Sequence, residues 1–275
     1  MSFIKLCKER FDKCNSVLCI GLDPIIEKMP FKDSLNIGKT ISNFYYPIID
    51  NFQKYAIAVK PNIAFYEQYG IEGYNALKNV INRAKKFSVP VILDAKRGDI
   101  GNTSKAYAKA AFDELKVDAI TLSPYLGSDS LIPFFAYKDK GFFILARTSN
   151  IGSSDIQLLK LRNNNILYQE VASKIIEWNK KFSAGIGAVI GATQINELKD
   201  VISIFKENTF VPILIPGIGS QGGNFNEVIN IIKGFKYPLH MVFINSSSKI
   251  NYAYLDHPDM DFNEAVYIEI KKMLI

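Results

Sequence analysis

The segment LDAKRGDIGNT, which begins at Leu93, brings two carboxylates and an amine close together in the chain. Asp94 and Lys96 are two residues apart, so on a strand both side chains would point the same way. Asp99 follows a glycine turn, and Thr103 is expected one helical turn beyond it, on the same face. Because acids and bases are costly to desolvate together unless something compensates, this spacing indicates an active site.

A plainer interpretation of this segment is a strand that ends in charged residues because it has reached water. Short motifs of this kind arise by chance often enough that the motif alone leaves the two interpretations about evenly matched. The place of the segment in the fold has to decide between them.

A second segment with chemical potential is PGIGSQGG, from Pro216 to Gly223. Glycines let backbone N–H groups turn inward and approach a phosphate ahead of a helix, here expected from Asn224. A flexible turn is the alternative. The later segment NSSSK, residues 245–249, adds hydroxyls and one cation. Together the two segments predict a site for a phosphorylated ligand.

Eight short apolar runs recur along the chain, separated by segments of helical period. The predicted strands are 16–22, 56–60, 89–93, 119–123, 142–146, 188–192, 211–215 and 241–245. The predicted helices include a leading helix within 1–15 and the segments 37–52, 103–115, 166–182 and 195–206. Continuous apolar runs suit parallel strands that are buried on both faces. This alternation predicts an α/β fold, a (β/α)8 TIM barrel, as a single domain over residues 1–275.

The barrel prediction changes the meaning of the charged segment, because active sites of this fold gather at the C-terminal ends of the strands. A doubly wound open sheet is the alternative fold, but no GxGxxG motif follows the first predicted strand.

In the barrel, the polar residues that follow the strands surround one mouth; they include Asp23, Lys60, Asp94, Lys96, Ser123, Thr148, Ser149, Thr193 and Gln194. The charged segment then becomes one wall of a pocket.

Composition narrows the classes of partner. The 275 residues are 48% hydrophobic, which is enough for a large core, and the formal net charge is +6. The lysines are scattered along amphipathic segments without a basic block, so we expect no nucleic-acid partner; a modest positive field suits an anionic small substrate. No apolar stretch is long enough to span a bilayer and no signal-peptide core begins the chain, so we expect no membrane partner.

Cysteine and histidine usage argues against metal and disulfide chemistry. Cys7, Cys14 and Cys19 are an odd set without CxxC spacing, which favours reduced thiols in a cytoplasmic protein. His240 and His257 are the two histidines of the sequence, too few for a histidine-rich metal site or an evident Ser-His-Asp triad. No metal site is predicted.

The motifs GLDP, VKPN, LDAKRGDIGNT, LSPYLG, ARTSN and PGIGSQGG occur in this order between about residues 16 and 250. In this order the chain resembles the orotidine 5′-monophosphate decarboxylases, in the longer branch with KPN and ARTSN. The resemblance implies conversion of orotidine 5′-monophosphate (OMP) to UMP and CO2, the last step of de novo UMP synthesis, without a cofactor. It also implies a stand-alone decarboxylase without a second phosphoribosyltransferase domain.

The resemblance implies roles for individual residues. The catalytic residues would be a charged network of Lys60, Asp94, Lys96 and Asp99, with Lys96 as proton donor to C6 of the pyrimidine. The substrate-binding residues would be Asp23, Thr103, Thr148, Ser149, Pro216, Gly219, Gln221, Gly222 and Lys249. Asp23, Lys60 and Thr103 would hold the ribose, Ser149 the pyrimidine, and Gln221 both base and phosphate, while the backbone near Gly219 and Gly222 would receive phosphate oxygens. Asp99 and Thr103 would enter the site of the neighbouring subunit, which implies a homodimer.

One position departs from the family pattern. An arginine usually follows the last strand and grips the phosphate, whereas Ser248 stands there and Lys249 comes next. A lysine can act as a point charge but not as a bidentate fork. Either Lys249 substitutes for the arginine, or the amides of the glycine-rich segment carry more of the phosphate binding.

Three other functions remain open. Magnesium-dependent sugar-phosphate enzymes share the DxKxxD wall, although Lys60 stands where a hard cation would want a carboxylate. A Schiff-base aldolase could use Lys60 or Lys96. A basic barrel that binds RNA or acts as a scaffold is the non-enzymatic alternative, and its affinity would fall steeply with salt.

Overall fold

The computed structural model describes residues 1–30, 36–182, 184–208, 210–219 and 222–275. Within these ranges, one parallel sheet contains β1 (Leu18–Leu22), β2 (Ala58–Pro61), β3 (Ile92–Arg97), β4 (Ala119–Leu122), β5 (Gly141–Arg147), β6 (Gly185–Ile190), β7 (Ile213–Ile215) and β8 (Val242–Ser246). The strands lie in the order β2-β1-β8-β7-β6-β5-β4-β3. Bridges from Val59 to Val91 and from Asn62 to Asp94 join the two outer strands. The predicted TIM barrel is confirmed.

Helices alternate with the strands and surround them. They are α1 (Phe3–Cys14), α2 (Ile37–Phe52), α3 (Ala64–Glu67), α4 (Gly70–Lys86), α5 (Gly101–Lys109), α6 (Ser128–Phe135), α7 (Ser154–Gln157), α8 (Leu167–Phe182), α9 (Ile195–Asn208), α10 (Phe225–Gly234), α11 (Ser248–Asn251), α12 (Ala253–Asp256) and α13 (Phe262–Lys271). A π-helical turn, Ala110–Glu114, extends α5. In the described part of the chain, no helix is long and apolar enough to cross a membrane.

Both faces of the strands are buried, which explains the continuous apolar runs. In β1, Leu18 and Ile20 belong to the large cluster between sheet and helices, whereas Cys19 belongs to a separate cluster inside the barrel. Alternate side chains of one strand therefore pack in different layers, and both layers exclude water.

The leading helix α1 closes the N-terminal end of the barrel. Phe3 is 1% exposed, and its ring centroid lies 5.9 Å from those of both Phe143 and Phe243. Gly141 permits this approach, since a Cβ there would come within 2.4 Å of the Phe3 ring. The guanidinium of Arg10 donates to the carbonyl oxygen of Ala56 at 2.9 Å and ties the helix to the start of β2. With this end filled, the opposite end remains for chemistry.

Candidate active site

A cavity of about 490 Å³ opens at the C-terminal ends of the strands. Among the predicted site residues, its lining includes Asp23, Lys60, Asp94, Lys96, Thr148, Ser149 and Pro216. The lining also includes Ser247, one of the hydroxyls expected near the phosphate, and five residues for which no individual role was predicted: Asn62, Thr121, Asn150, Gln157 and Asn245. All eight strands contribute, through residues of the strand or of the loop that follows it, as the fold requires.

Asp94 stands between two lysines at the base of this cavity. Its Oδ2 atom lies 2.9 Å from Nζ of Lys60, and its Oδ1 atom lies 2.7 Å from Nζ of Lys96. Asp94 and Lys60 are buried, whereas the Lys96 side chain is 48% exposed. Asp94 is therefore shared by two ammonium groups, of which that of Lys96 is the more exposed.

The protonation states follow from these contacts. Burial by itself would raise the pKa of the Asp94 carboxyl, but Lys60 and Lys96 hold that pKa well below its usual range. Burial likewise acts to lower the pKa of the Lys60 ammonium, yet Asp94 and Asp23 raise this pKa above its ordinary value. Lys60 and Asp94 are therefore a charged pair near neutral pH.

The backbone that carries Lys96 departs from a regular strand. Lys96 has a φ of 46°, in the left-handed region, and the β3–β4 pairing shifts register between Leu93 and Arg97. The predicted strand 89–93 therefore extends further, to Arg97. Simple alternation along a strand does not explain why Asp94 and Lys96 meet; a bulge at the end of β3 brings them together.

Thr121 of β4 forms hydrogen bonds to the bulged part of β3. Its hydroxyl donates to Oδ1 of Asp94 at 2.9 Å and accepts the backbone N–H groups of Ala95 and Lys96 at 3.0 and 2.9 Å. Thr121 is also the one polar residue in the buried β4 segment AITL. That isolated polar residue was the available sequence signal for a role that we did not predict.

Asp23 lies at the opposite side of the charged cluster, after β1. Its carboxylate accepts the backbone N–H of Asn62 at 3.1 Å and the hydroxyl of Ser247 at 2.7 Å. The Tyr252 hydroxyl donates to the Asp23 carbonyl oxygen at 3.1 Å. These contacts join the ends of β1, β2 and β8 and fix the Asp23 carboxylate at the cavity wall.

The ARTSN loop after β5 is held by side chains from both of its ends. Gln157 accepts the backbone N–H of Thr148 at 2.8 Å and donates to the Thr148 hydroxyl at 2.9 Å. The Arg147 guanidinium is buried and contacts Gln194 at 3.0 Å and Glu197 at 3.2 Å. Thr148 and Ser149 therefore enter the cavity wall on an anchored loop.

Asp99 and Thr103 are not brought to the same cavity. Neither belongs to the described lining; Asp99 is half-buried and accepts the N–H of Ile100 at 2.8 Å, and Thr103 is exposed. The expectation that Thr103 lies one helical turn beyond Asp99 is wrong, because α5 begins only at Gly101. The backbone at Ile100 is extended, so Asp99 lies in the loop before the helix and Thr103 lies within α5.

The glycine-rich segment after β7 folds onto itself. Gly219 and Gly222 have φ angles of 82° and 86°, in the region that glycine tolerates. The N–H of Gly219 donates to the Gly223 carbonyl at 3.2 Å, and that of Gly222 donates to the Gly219 carbonyl at 3.1 Å. Both amides thus have partners inside the loop. Gln221 lies outside the described residues.

Lys249 is not among the residues that line the catalytic cavity. Its ammonium lies 2.8 Å from a carboxylate oxygen of Asp256, and both side chains are about half exposed. Lys249 and Gly219 line a neighbouring cavity of about 600 Å³, whereas Ser248 lines the catalytic one. The stem of Lys249 nevertheless packs against Gly219, where a Cβ would meet its Cγ at 2.8 Å.

Comparison with known proteins supplies the family. Residues 16–234 match the family model "Orotidine 5′-phosphate decarboxylase / HUMPS family". The chain belongs to the orotidine 5′-phosphate decarboxylase family. An orotidine 5′-phosphate decarboxylase of Dehalococcoides mccartyi is 43% identical over 259 residues, which cover 92% of this chain and 90% of that protein.

Solved structures of the decarboxylase family agree with the fold. Leishmania donovani OMP decarboxylase matches with a TM-score of 0.78 and 35% identity, covering 99% of this chain and 98% of that one. Leishmania donovani UMP synthase matches with a TM-score of 0.83 and 36% identity. That match covers 99% of this chain and 56% of the UMP synthase chain, so this chain spans about half the length of that relative.

Proposed function

We propose that Lys96 is the proton donor in this family's reaction, the decarboxylation of OMP to UMP in pyrimidine biosynthesis. The observation that carries the proposal is the Lys60–Asp94–Lys96 cluster at the base of the cavity, with its 2.9 and 2.7 Å ion pairs. These pairs hold the ammonium of Lys96 beside a cavity that has room for a nucleotide.

Decarboxylation of OMP leaves negative charge on C6 of the pyrimidine, so the reaction needs a cation beside that carbon. The bond between C6 and the carboxylate breaks, CO2 leaves, and the electron pair stays on C6 in the plane of the ring. The Lys96 ammonium stabilises that developing charge and then transfers a proton to C6. Because the Lys96 side chain is half exposed, solvent can return the proton and complete the cycle.

We infer the remaining contacts of the substrate from the residues around the cavity and from the family resemblance. Asp23 and Lys60 bind the ribose hydroxyls, while Thr148 and Ser149 contact the pyrimidine from the anchored ARTSN loop. Pro216, Gly219, Gln221 and Gly222 lie in the segment that receives the phosphate end. The intraloop hydrogen bonds of Gly219 and Gly222 require that these amides exchange a loop carbonyl for a phosphate oxygen on binding.

We propose that the reaction needs no cofactor. Among the described residues, no group of three or more His, Cys, Asp or Glu side chains is arranged to hold a metal ion. Lys60 lies 2.9 Å from Asp94, at the position where a metal-dependent relative would need another carboxylate. The raised pKa of Lys60 also disfavours a Schiff base, which requires the neutral amine.

Chelation tests this proposal directly. Enzyme dialysed against EDTA should consume OMP, followed by its absorbance, at the rate of untreated enzyme, and added Mg²⁺ should change nothing. Loss of turnover on dialysis with recovery on adding Mg²⁺ would show a metal-dependent reaction. Trapping of a protein–substrate adduct by borohydride would instead support an aldolase-type Schiff base.

We propose that Lys249 supplies the cation for the phosphate. An exposed ion pair such as that with Asp256 contributes little, so the ammonium can exchange this carboxylate for a phosphate dianion. Lys249→Ala should raise KM for OMP about 10-fold with kcat nearly unchanged, as expected for one charge-assisted hydrogen bond. Asp256→Ala is the matched control and should not raise KM. An unchanged KM in Lys249→Ala would leave phosphate binding to the glycine-rich segment.

We propose that the enzyme works as a homodimer in which Asp99 and Thr103 complete the neighbouring site. Ile100, Tyr125 and Leu126 support this arrangement, because these apolar side chains are exposed on the loops after β3 and β4. The two loops are adjacent, since the N–H of Ser123 donates to the Arg97 carbonyl at 2.8 Å. A second copy on this surface would cover the apolar side chains and bring the partner's carboxylate to the lysines.

We also propose that the 275 residues act as one domain in the cytoplasm, without nucleic-acid or membrane partners. Free thiols at Cys7, Cys14 and Cys19 suit a reducing compartment. The barrel includes strands from both halves of the chain, and β1 pairs with β8. This pairing supports one cooperative unit.

A further inference from the structure

We propose that Thr121 is a positioning residue that sets the geometry of both Asp94 and Lys96. The inference rests on the proposed function and adds a residue to it. Thr121 is 1% exposed, and its hydroxyl reaches Asp94 Oδ1 and the N–H groups of Ala95 and Lys96 within 3.0 Å. The Thr121 side chain therefore contacts both the backbone of Lys96, the proposed proton donor, and the Asp94 carboxylate that pairs with the Lys96 ammonium.

The hydrogen-bonding capacity of the Thr121 hydroxyl is fully used. A hydroxyl has one donor and two acceptor positions, and three partners occupy them. The direction of each bond is therefore determined: the hydroxyl accepts both amides, so its proton goes to Asp94. This arrangement favours the ionised form of Asp94.

The two amides need Thr121 because the sheet pairing is interrupted there. The β3–β4 pairing shifts register between Leu93 and Arg97, and the hydroxyl supplies an acceptor within this interruption. Lys96 also adopts a φ of 46°, which a residue with a Cβ rarely takes without support. Holding two successive N–H groups on one oxygen stabilises this bend.

The hydrogen bond from Thr121 and the ion pair with Lys96 share one oxygen atom of Asp94. Oδ1 of Asp94 accepts both the Thr121 hydroxyl at 2.9 Å and the Lys96 ammonium at 2.7 Å. Loss of the hydroxyl would leave two amides without this acceptor and remove one donor from Asp94. The backbone of Lys96 would then lack this support, and Asp94 would keep its pair with Lys60 but lose the hydroxyl that orients Oδ1.

The test compares two substitutions. Thr121→Val keeps the shape of the side chain and removes the hydroxyl, whereas Thr121→Ser keeps the hydroxyl and removes the methyl group. We expect kcat for OMP to fall about 10- to 100-fold in Thr121→Val, with KM within about threefold of wild type, in line with losses of supporting hydrogen bonds at other sites. Thr121→Ser should retain kcat within about threefold.

The pH profile separates positioning from packing. In Thr121→Val the acidic limb of kcat should move to higher pH, because Asp94 loses a donor that favours its ionised form. A residue that only packs would lower the melting temperature and the number of UMP-binding sites, while kcat per binding site stayed at the wild-type value. Wild-type kcat per site with an unmoved acidic limb in Thr121→Val would overturn the proposal.

A measurement that does not involve turnover keeps this inference distinct from the proposed function. Hydrogen exchange on the wild-type protein should show the Ala95 and Lys96 amides protected, and a crystal structure of Thr121→Val should show Lys96 Nζ displaced from Asp94. If wild type failed to decarboxylate OMP while these results held, the proposed function would be wrong and the positioning role would stand. Rapid exchange of both wild-type amides would contradict the role of Thr121, even if Thr121→Val did not fold.

Discussion

Asp94→Asn is expected to reduce kcat for OMP by at least about 10³-fold, comparable with the loss of a preorganised electrostatic group, and to destabilise the barrel. Asparagine preserves the shape of Asp94 but removes the charge between Lys60 and Lys96. The Lys60 side chain is 4% exposed, so its ammonium would be left buried without its nearest counter-charge. Breaking a buried ion pair in this way costs about 3–5 kcal/mol.

The stability loss should depend on pH in a defined direction. Because the folded-state pKa of Asp94 is lowered, its contribution in wild type is complete above the unfolded-state pKa of about 4 and is lost as the pH falls below that value. Asp94→Asn lacks this acid-dependent component. It should instead regain stability as the pH rises toward about 10, since burial without Asp94 lowers the pKa of Lys60 and favours its neutral form.

Urea unfolding of both proteins from acidic to alkaline pH measures this difference. Asp12→Asn is the control, because the Lys8–Asp12 pair is exposed on both sides and such pairs contribute little. The control should follow wild type within about 1 kcal/mol at every pH. If Asp94→Asn also ran parallel to wild type over the whole range, Asp94 would not be the counter-charge of a buried lysine.

The fold was largely predictable because the barrel buries both faces of its strands. Each of the eight predicted runs overlaps an observed strand, and the predicted helix 37–52 has the same bounds as α2. The main difference is at β3, which ends at Arg97 rather than at 93. Apolar composition marks where a strand is buried but gives no signal for a bulge that continues it through charged residues.

The site was predictable in its residue types but not in its contacts. The spacing of Asp94 and Lys96 indicated a shared wall, yet their contact depends on a left-handed Lys96 and on the Thr121 hydroxyl. Lys249 was predicted as a phosphate ligand from its place after β8, but its ion pair with Asp256 was not predicted. Such pairings depend on how the C-terminal helices pack, which local sequence does not encode.

Lys96→Ala is expected to reduce decarboxylation by at least about 10⁴-fold, since it removes the proposed proton donor and, with it, the charge proposed to lie beside the reacting carbon. UMP should bind with a Kd within about tenfold of wild type, because the proposed ribose and phosphate contacts are made by other residues. Lys174→Ala, at an exposed lysine paired with Glu177, is the control and should keep full activity. Retained turnover in Lys96→Ala would exclude Lys96 as the proton donor.

The central claim is that one site joins Lys96 of one subunit to Asp99 of its neighbour, and mixing two inactive variants tests it most directly. Coexpressed Lys96→Ala and Asp99→Ala subunits, pairing at random, should form about one half mixed dimers, each with one intact site. The mixture should therefore recover about one quarter of wild-type activity, although each variant alone is inactive. If the mixture stayed as inactive as its components while mixed dimers were present, Lys96 and Asp99 would not act across the interface.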